Sequence, residues 1–527
     1  MRSGMALLAA LVLACPASAR EKKESYYVDA SLEPGVQLLD WEAVDGLAGS
    51  RPPLHRDVVL AVLTPSGREL RIHAVTPDSL EAVPRRTVAM LDDVIAWGSA
   101  DLRPDPGAEL LLLTRGGAWS YSILKDGYRG NAKAIARTEL VYDLPDPAAL
   151  PYWAFVLPGP VGKGQDRFLL PSAAGYHVWS PDPSQADVWT SGPLFAAGQI
   201  ASVRDTTGPK DSVNGNREGP RNQIKIALQG DPSPFVEEHD EDASNLLSAS
   251  LAYRSPALLD VDGDGSLDLL DLSPAGLAFH KNGAANATSV EPLPEYLTAK
   301  KTERSLKLAD LDGDGDIDIL ARLVPKENGI KNRAIRLLVL LQERGKMFPA
   351  KPNGVLRFDA SELRIQITDV NGDKRPDLVL RKFELPGMLE SVGGLEFTFT
   401  HLVYFGGKKG FERKPSVKAT EVYDEESIAG AIANYELTRD CDNDGVADLV
   451  ALDLEGRLAV RRVVKDSGFF SGDSWELEKA PWKRFETRGA ISSLSVPDLN
   501  GDGLGDLVSL GDERLTVMLS MGRRRSK

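Results

Sequence analysis

The stretch DLDGDGDIDIL, from Asp310 to Leu320, gives the strongest indication of the fold. Four related stretches occur elsewhere in the chain: DVDGDGSLDLL from Asp260, DVNGDKRPDLV from Asp369, DCDNDGVADLV from Asp440 and DLNGDGLGDLV from Asp498. Their starts are 50, 59, 71 and 58 residues apart. Repeats of this length are typical of propellers and other arrays of supersecondary units.

The residues that flank the repeats predict strands. Before a repeat the chain alternates polar and apolar residues, as in Leu306–Ala309, and after it comes a short apolar run, as in Leu378–Leu380. Both patterns are typical of strands rather than helices. A turn and a further strand follow, and four short strands fill roughly 50 residues, the size of one propeller blade. We therefore predict an all-β fold, a β-propeller of seven or eight four-stranded blades that carry DxDGDGxxD loops.

The first half of the chain contains degenerate copies. The stretch DLRPDPGAELLLL from Asp101 has Arg103 and Glu109 at positions where the other copies have candidate oxygen ligands. The stretch from Pro158 keeps only Asp166. These two stretches bring the number of units to seven.

An eighth unit is predicted from strand patterns alone. Residues 57–63 and 68–75 have the pattern of a second and a third strand. The last unit is one strand short, and residues 26–40 are predicted to supply that strand and close the ring, because closure removes exposed sheet edges. Seven blades remain the alternative if the first unit is incomplete.

One segment interrupts the repeats. Residues 203–250 are rich in Gly, Pro, Asn and charged residues. Long insertions between compact units are usually functional or disordered. We predict a surface loop inserted into a single propeller of residues 20–521, followed by a basic tail at residues 522–527.

The repeated loops have the chemistry of a calcium site. Calcium takes 6–8 oxygen ligands, and acids at positions 1, 3, 5 and 9 can surround one point, while the glycines permit a tight turn. Asp-Gly is also good turn chemistry, but five loops with the same oxygen pattern favour a metal. An EF-hand is excluded in four of them, because it needs Glu at position 12 and helical flanks.

The pattern resembles the FG-GAP/VCBS-type repeats, which are related to the propeller heads of integrin α chains. The hairpin sequence from Val403 to Phe411 is also similar to that family. The resemblance implies a seven-bladed, usually extracellular and often adhesive propeller with about five Ca²⁺ sites. The implied ligands are Asp260, Asp262, Asp264, Asp268, Asp310, Asp312, Asp314, Asp318, Asp369, Asn371, Asp373, Asp377, Asp440, Asp442, Asp444, Asp448, Asp498, Asn500, Asp502 and Asp506.

The N-terminus predicts export. Arg2, an apolar segment at residues 6–14 and Ala17-Ser18-Ala19 form a signal peptide of residues 1–19. The alternative is a lipid-modified Cys15. No other segment is apolar enough for a membrane helix. We therefore expect a periplasmic, secreted or cell-surface protein.

The net charge and the motifs of the sequence argue against several classes of function. A formal net charge of −15 argues against nucleic-acid binding. The six histidines form no zinc motif, and no nucleophile elbow or phosphate loop is present. The favoured function is a non-catalytic scaffold that binds a protein or glycan partner. The alternatives are a lectin and a carbohydrate-active enzyme, such as a polysaccharide lyase.

Overall fold

A computed structural model shows the backbone and side chains of most of the chain. It describes residues 26–45, 47, 56–103, 107–122, 132–140, 150–153, 156–157, 166–172, 175–182, 188–195, 200–205, 224–228, 249–253, 257–259, 268–273, 276–284, 288–297, 302–325, 332–343, 348–385, 396–423, 435–453, 455–468, 472–487, 491–511 and 514–522. The predicted signal peptide, Cys15 and all but the first residue of the basic tail lie outside these ranges.

The first strand, β1 (Tyr26–Asp29), belongs to the last blade, and the strands that follow it form three sheets. Blade 1 contains β2 (Gln37–Asp45), β3 (Arg56–Thr64), β4 (Gly67–Thr76), β5 (Ser79–Leu80) and β6 (Arg86–Ala89). Blade 2 contains β7 (Val94–Ala100), β8 (Glu109–Thr114), β9 (Gly117–Tyr121) and β10 (Lys133–Arg137). Blade 3 contains β11 (Val156–Leu157), β12 (Arg167–Ser172), β13 (Gly175–Pro181) and β14 (Trp189–Phe195).

A separate three-stranded sheet follows blade 3. It contains β15 (Ile200–Asp205), β16 (Ile224–Leu228) and β17 (Ala249–Tyr253), which pair only with one another. The segment predicted as an inserted loop therefore includes strands. Residues 206–223 and 229–248, the rest of that segment apart from its strands, lie outside the described part of the chain.

The second half forms five more sheets. Blade 4 contains β18 (Ala257–Leu259), β19 (Asp268–Ser273), β20 (Gly276–His280) and β21 (Ser289–Glu291), with short 3-10 helices at Lys281–Gly283 and Glu295–Leu297. Blade 5 contains β22 (Thr302–Ala309), β23 (Asp318–Pro325), β24 (Arg333–Leu340) and β25 (Gly354–Ala360). Blade 6 contains β26 (Glu362–Thr368), β27 (Asp377–Glu384), β28 (Phe397–Tyr404) and β31 (Val417–Tyr423), with the hairpin β29 (Gly406–Gly407) and β30 (Gly410–Phe411) between its last two strands.

The last two blades complete the chain. Blade 7 contains β32 (Tyr435–Arg439), β33 (Asp448–Leu452), β34 (Leu458–Arg461) and β37 (Lys483–Phe485), with the hairpin β35 (Val463–Gly468) and β36 (Gly472–Leu477) inserted before its last strand. Blade 8 contains β38 (Ile491–Ser495), β39 (Leu507–Gly511) and β40 (Leu515–Met521), and β1 is its fourth strand. Neighbouring strands within every blade are antiparallel.

Buried apolar clusters join each blade to the next and close the ring. Side chains alternate between the two faces of a strand, so Ile319 of β23 packs toward blade 4 and Leu320 toward blade 6. Adjacent blades contribute residues to shared clusters all the way around the ring. These residues are Val59 and Leu110 from blades 1 and 2, Leu111, Phe168 and Leu269 from blades 2 to 4, Leu270 and Ile319 from blades 4 and 5, Leu320 and Leu378 from blades 5 and 6, Val379 and Leu449 from blades 6 and 7, Val450 and Leu507 from blades 7 and 8, and Val508 and Leu60 from blades 8 and 1. The propeller therefore has eight blades, and the seven-bladed alternative is wrong.

The N-terminal strand closes the ring, as the sequence predicts. In β1, Val28 lies opposite Leu519 of β40. The contact continues beyond β1, because the backbone N–H of Leu32 donates to the carbonyl oxygen of Leu515 at 2.8 Å. Leu32 is 3% exposed and packs with apolar residues of blades 1 and 8. The first and last strands of the described chain therefore share one sheet.

Substitution of Leu32 tests this closure. Leu32→Ala should lower the free energy of unfolding by about 2–5 kcal/mol, because it leaves a cavity between blades 1 and 8. The control is Glu33→Ala, which removes an exposed ion pair to Arg514 and should cost less than about 1 kcal/mol. Chemical denaturation measures both. Equal effects for the two variants would contradict the closure.

Candidate functional site: the acidic loops

The five acidic loops connect the first and second strands of blades 4 to 8. We number them first (residues 260–268), second (310–318), third (369–377), fourth (440–448) and fifth (498–506). In the second, third and fourth loops the aspartate at position 9 pairs with the residue before position 1: Ala309 with Asp318, Thr368 with Asp377, and Arg439 with Asp448. The first loop is described only at Asp268, so its other predicted ligands lie outside the described residues.

The aspartate at position 1 shapes each described loop. Asp310 accepts backbone N–H groups from Gly313 at 2.7 Å and from Gly315 at 3.0 Å, one on each carboxylate oxygen. The same pair of bonds joins positions 4 and 6 to Asp369, Asp440 and Asp498. The carboxylate thus accepts hydrogen bonds from backbone N–H groups that point into the turn and that water would otherwise have to satisfy.

Lys374 in the third loop and Asn443 in the fourth stand where the other described loops have glycine, and both loops keep the same turn. Gly313 and Gly315 have φ of 79° and 90°, and Asn443 and Lys374 occupy the same left-handed region with φ of 67° and 66°. Asn enters this region readily, whereas Lys does so at a cost. The backbone N–H of Lys374 still donates to Asp369 at 2.8 Å. The third loop therefore keeps its geometry despite Lys374.

Positions 1, 3 and 5 form a cluster of carboxylates. In the second loop Asp310, Asp312 and Asp314 each place an oxygen within 4.8 Å of the others. Asp440, Asp442 and Asp444 do the same in the fourth loop. Among the fully described loops, these two are the ones that have aspartate at position 3. Unscreened carboxylates at this distance repel one another. Hard oxygen ligands that converge on one point are suited to a divalent cation such as Ca²⁺.

Asparagine at position 3 accepts the backbone N–H of position 5 in both of the other two loops. In the third loop, Asn371 Oδ1 accepts the backbone N–H of Asp373 at 2.9 Å. In the fifth loop, Asn500 Nδ2 donates to the carbonyl oxygen of Ser520 at 2.8 Å, so this side chain also ties the loop to β40. Each amide still offers an oxygen ligand, but with no negative charge.

The aspartate at position 9 is a structural link. It is at most 1% exposed in all five loops. One oxygen of Asp318 accepts the N–H of Leu311 at 2.7 Å, and the other accepts that of Gln342, from the end of the third strand, at 2.8 Å. Equivalent pairs of bonds hold Asp377 and Asp506. Position 9 was predicted as a ligand, yet in these loops both of its oxygens already accept main-chain hydrogen bonds.

Burial raises the pKa of these carboxyls to different extents. Desolvation is the main cause in each case, and backbone N–H donors act against it. The pKa of Asp377, which accepts three backbone N–H groups, is raised to about 6, and those of Asp318 and Asp506 to about 7. The pKa of Asp448 is raised to about 9, because it has one such donor and lies near the charges of Asp442, Asp440 and Asp444.

Adjacent loops are hydrogen-bonded to one another. The N–H of Ala447 in the fourth loop donates to the carbonyl oxygen of Val370 in the third, at 2.8 Å. The N–H of Gly505 in the fifth loop donates to the carbonyl oxygen of Asp440 in the fourth, also at 2.8 Å. The hydroxyl of Tyr27 in β1 contacts the fourth and fifth loops. The third to fifth loops therefore form one continuous layer on one face of the ring.

The degenerate copy in blade 2 keeps the structural link without the acidic cluster. Glu109 takes the place of the aspartate at position 9, and its Oε2 accepts the N–H of Leu102 at 2.9 Å. Arg103 at position 3 is buried and donates to Ser120 Oγ at 2.5 Å. A cationic side chain thus lies where the other loops have an oxygen ligand. In blade 3, Asp166 accepts the N–H of Asp101 at 2.7 Å and links the two blades.

The sequence pattern missed a polar cluster between blades 6 and 7. Glu421 accepts hydrogen bonds from His401 Nε2 and from the Tyr423 hydroxyl, both at 2.9 Å, and pairs with Arg461 of blade 7. The guanidinium of Arg381 lies 4.0 Å from the ring centre of Phe399, on the same face of the sheet. The available signal was charged residues inside otherwise apolar strands, but their partners come from different strands and blades.

This cluster is buried rather than open. Arg381 and His401 are each 2% exposed, and Tyr423 is 3% exposed. Burial, together with Arg381 and Arg461, lowers the pKa of His401 well below its ordinary value. Arg, His and Tyr would be suitable groups for a lyase, but here they lie in the interface between two blades. Their observed contacts hold the blades together.

The comparisons with known proteins identify no family for this chain. No family model and no curated protein matches the chain. Among solved structures it is similar to a chain from the crystal structure of BBS1N in complex with ARL6DN, soaked with lead, at 10% sequence identity and a TM-score of 0.25, over 94% of this chain and 98% of that one. A TM-score this low carries no argument, so the fold assignment rests on the sheets and the clusters between them. Among the described residues, no helix has the length and apolarity needed to cross a membrane.

The buried histidine predicts a pH dependence. The pKa of His401 is lower in the folded chain than its ordinary value of 6.5, so the unfolded chain binds the extra proton as the pH falls below about 6.5. The stability that His401 contributes is therefore present above that pH and is lost below it. His401→Gln should keep a donor to Glu421 but remove this dependence.

The comparison of the two proteins isolates the histidine from other titrating groups. The difference in free energy of unfolding between wild type and His401→Gln should shrink by about 1.4 kcal/mol between pH 7.5 and 5.5. Denaturant titrations at both pH values measure it. A difference that stays constant with pH would show that His401 is not buried in its neutral form.

Proposed function

We propose that this chain is an exported, calcium-binding β-propeller that acts as a non-catalytic scaffold for a protein or glycan partner. The observation that carries the proposal is the pair of carboxylate clusters, Asp310, Asp312 and Asp314 in blade 5 and Asp440, Asp442 and Asp444 in blade 7. Acidic groups on a surface are common without an ion. Here, however, the same spacing recurs in five loops of one sequence, and the resemblance to FG-GAP/VCBS-type repeats supports the same ion.

The proposed role of calcium is structural. Each described loop joins the first two strands of its blade, and a cation would remove the repulsion among the carboxylates that turn inward. At ten times its dissociation constant, one calcium site adds about 1.4 kcal/mol to the stability. Five independent sites would add on the order of 7 kcal/mol, comparable with the total stability of an ordinary domain. Blades 1 to 3 lack the clustered acids and should depend on calcium least.

The scaffold role is supported by the eight-bladed framework itself. In its acidic loops the aspartate at position 1 accepts backbone N–H groups that shape the turn, and Arg381, His401 and Tyr423 lie buried between blades 6 and 7. Export is supported by the signal-peptide pattern at residues 1–19. Mass spectrometry of the native protein should find Arg20 at its N-terminus, and an intact Met1 would contradict export.

Removal of single ligands tests the metal assignment. Asp312→Ala and Asp442→Ala should each abolish one calcium site, because each takes away one of three clustered carboxylates. Isothermal titration calorimetry should show about five sites in the wild type and about four in each variant. Asp316→Ala is the matched control, because position 7 would offer its backbone carbonyl, which alanine keeps. No calcium binding by the wild type, or a preference for zinc, would contradict the assignment.

The scaffold role needs a separate experiment. The mature chain is tested on a glycan array and in pull-downs from an envelope extract, with calcium and with EDTA, beside Asp312→Ala and Asp442→Ala. A specific partner that wild type retains in calcium, and loses when the fold is destabilised, would support the scaffold. Release of unsaturated products from uronate polymers would show that the chain is a lyase instead.

A further inference from the structure

The last aspartate of the fourth loop differs from its counterparts. Asp448 is 1% exposed, and its Oδ2 accepts the backbone N–H of Cys441 at 2.9 Å. Its other oxygen, Oδ1, is buried and has no hydrogen-bond partner. In the second, third and fifth loops that oxygen accepts a backbone N–H from the third strand of the blade or the residues just after it, at 2.8, 2.7 and 2.6 Å.

The path of the chain explains the missing donor. In blade 7 the third strand, β34, leads through Arg462 directly into the hairpin of β35 and β36. Arg462 and Val463 are held to the far strand of that hairpin: the carbonyl oxygen of Arg462 accepts the N–H of Glu478 at 2.9 Å, and Val463 pairs with Leu477. The residues that follow the third strand are therefore held in the hairpin, and no backbone N–H group reaches Oδ1 of Asp448 as it does for the position-9 aspartates of blades 5, 6 and 8.

Arg462, a cation close to this loop, does not take over the role. Arg462 Nη1 lies 3.6 Å from Asp442 Oδ2. The guanidinium is held by two hydrogen bonds to Glu478, at 2.9 and 2.7 Å. Because Asp448 Oδ1 has no hydrogen-bond partner, Arg462 does not satisfy it.

A buried carboxylate oxygen without a partner is costly, and more so beside other negative charges. The charges of Asp440, Asp442 and Asp444 all act on Asp448, so this buried carboxyl group lies close to the carboxylate cluster of the same loop. A metal ion bound among these side chains would supply what the main chain supplies in the other loops. At position 9 the fourth loop thus has a reason to bind a cation that the second, third and fifth loops lack. In the second loop the buried oxygen without a hydrogen-bond partner is Oδ1 of Asp312 at position 3, whose side chain is only partly buried.

We propose that the fourth loop is the obligatory cation site of the propeller, where a divalent ion replaces the missing main-chain donor to Asp448. This inference rests on the proposed calcium binding and adds the order in which the loops bind the ion. The fourth loop binds first and most tightly, and blade 7 needs its ion in order to fold. In the second, third and fifth loops the position-9 carboxylate is already satisfied, so an ion there is less essential.

Two matched substitutions at position 9 test the proposal. Asp448→Asn should weaken the tightest calcium-binding step at least tenfold. It should lower the melting temperature in calcium but not in EDTA, because a neutral amide tolerates the ion-free site better than a carboxylate does. Asp377→Asn should retain the tightest step, and it should lower the melting temperature in both conditions, because an amide N–H would then face a backbone N–H. Calcium calorimetry and thermal unfolding measure both variants.

The outcomes separate this inference from the proposed function. If the wild type binds no calcium, the proposed function fails. If it binds calcium, and Asp448→Asn keeps the tightest step or Asp377→Asn loses it, the order of sites is wrong while calcium binding stands. Should Asp448→Asn not fold, Asp444→Asn replaces it as an exposed ligand of the same loop, with Asp314→Asn as its match. Only Asp444→Asn should then remove the tightest step.

Discussion

A buried carboxylate ends each described acidic loop, and the rest of the blade is arranged around it. In the second loop, Asp318 fastens the loop through Leu311 and the end of the third strand through Gln342, so one side chain holds three segments in register. Glu109 makes the same loop contact in blade 2, where the acidic cluster is absent. The main role of the repeat is therefore to connect strands. In blades 4 to 8 its sequence adds side-chain oxygens at positions 1, 3 and 5.

The two halves of the ring are therefore held together by different kinds of contact. Blades 1 to 3 are held by apolar side chains alternating between two interfaces and by ion pairs such as Arg85 with the buried Asp57. Blades 5 to 8 add the layer of loops, in which the third, fourth and fifth are joined by main-chain hydrogen bonds. A cation in one of these loops would act on its neighbours, whereas the first three blades would be affected only through the ring.

The sequence predicted the features that depend on local pattern. The strands around each loop were visible as alternation before it and an apolar run after it. The second and third strands of blade 1 were predicted from strand patterns, and the closing strand β1 from the need to close the ring. The role of position 9 was not visible, because its second donor comes from a strand about 14 to 29 residues away. The cluster around Glu421 depends on residues from two blades, and β15 to β17 lie in a segment whose composition indicates a loop. Long-range pairing of this kind leaves no periodic signal.

The most direct test of the account is an anomalous difference map from crystals grown with calcium or terbium. The account predicts one peak in each of the five acidic loops, the strongest at the fourth loop beside Asp448, and none between the first two strands of blades 1 to 3. A ring of eight blades with no peak at Asp310, Asp312 and Asp314 or at Asp440, Asp442 and Asp444 would contradict the claim that cations hold these loops.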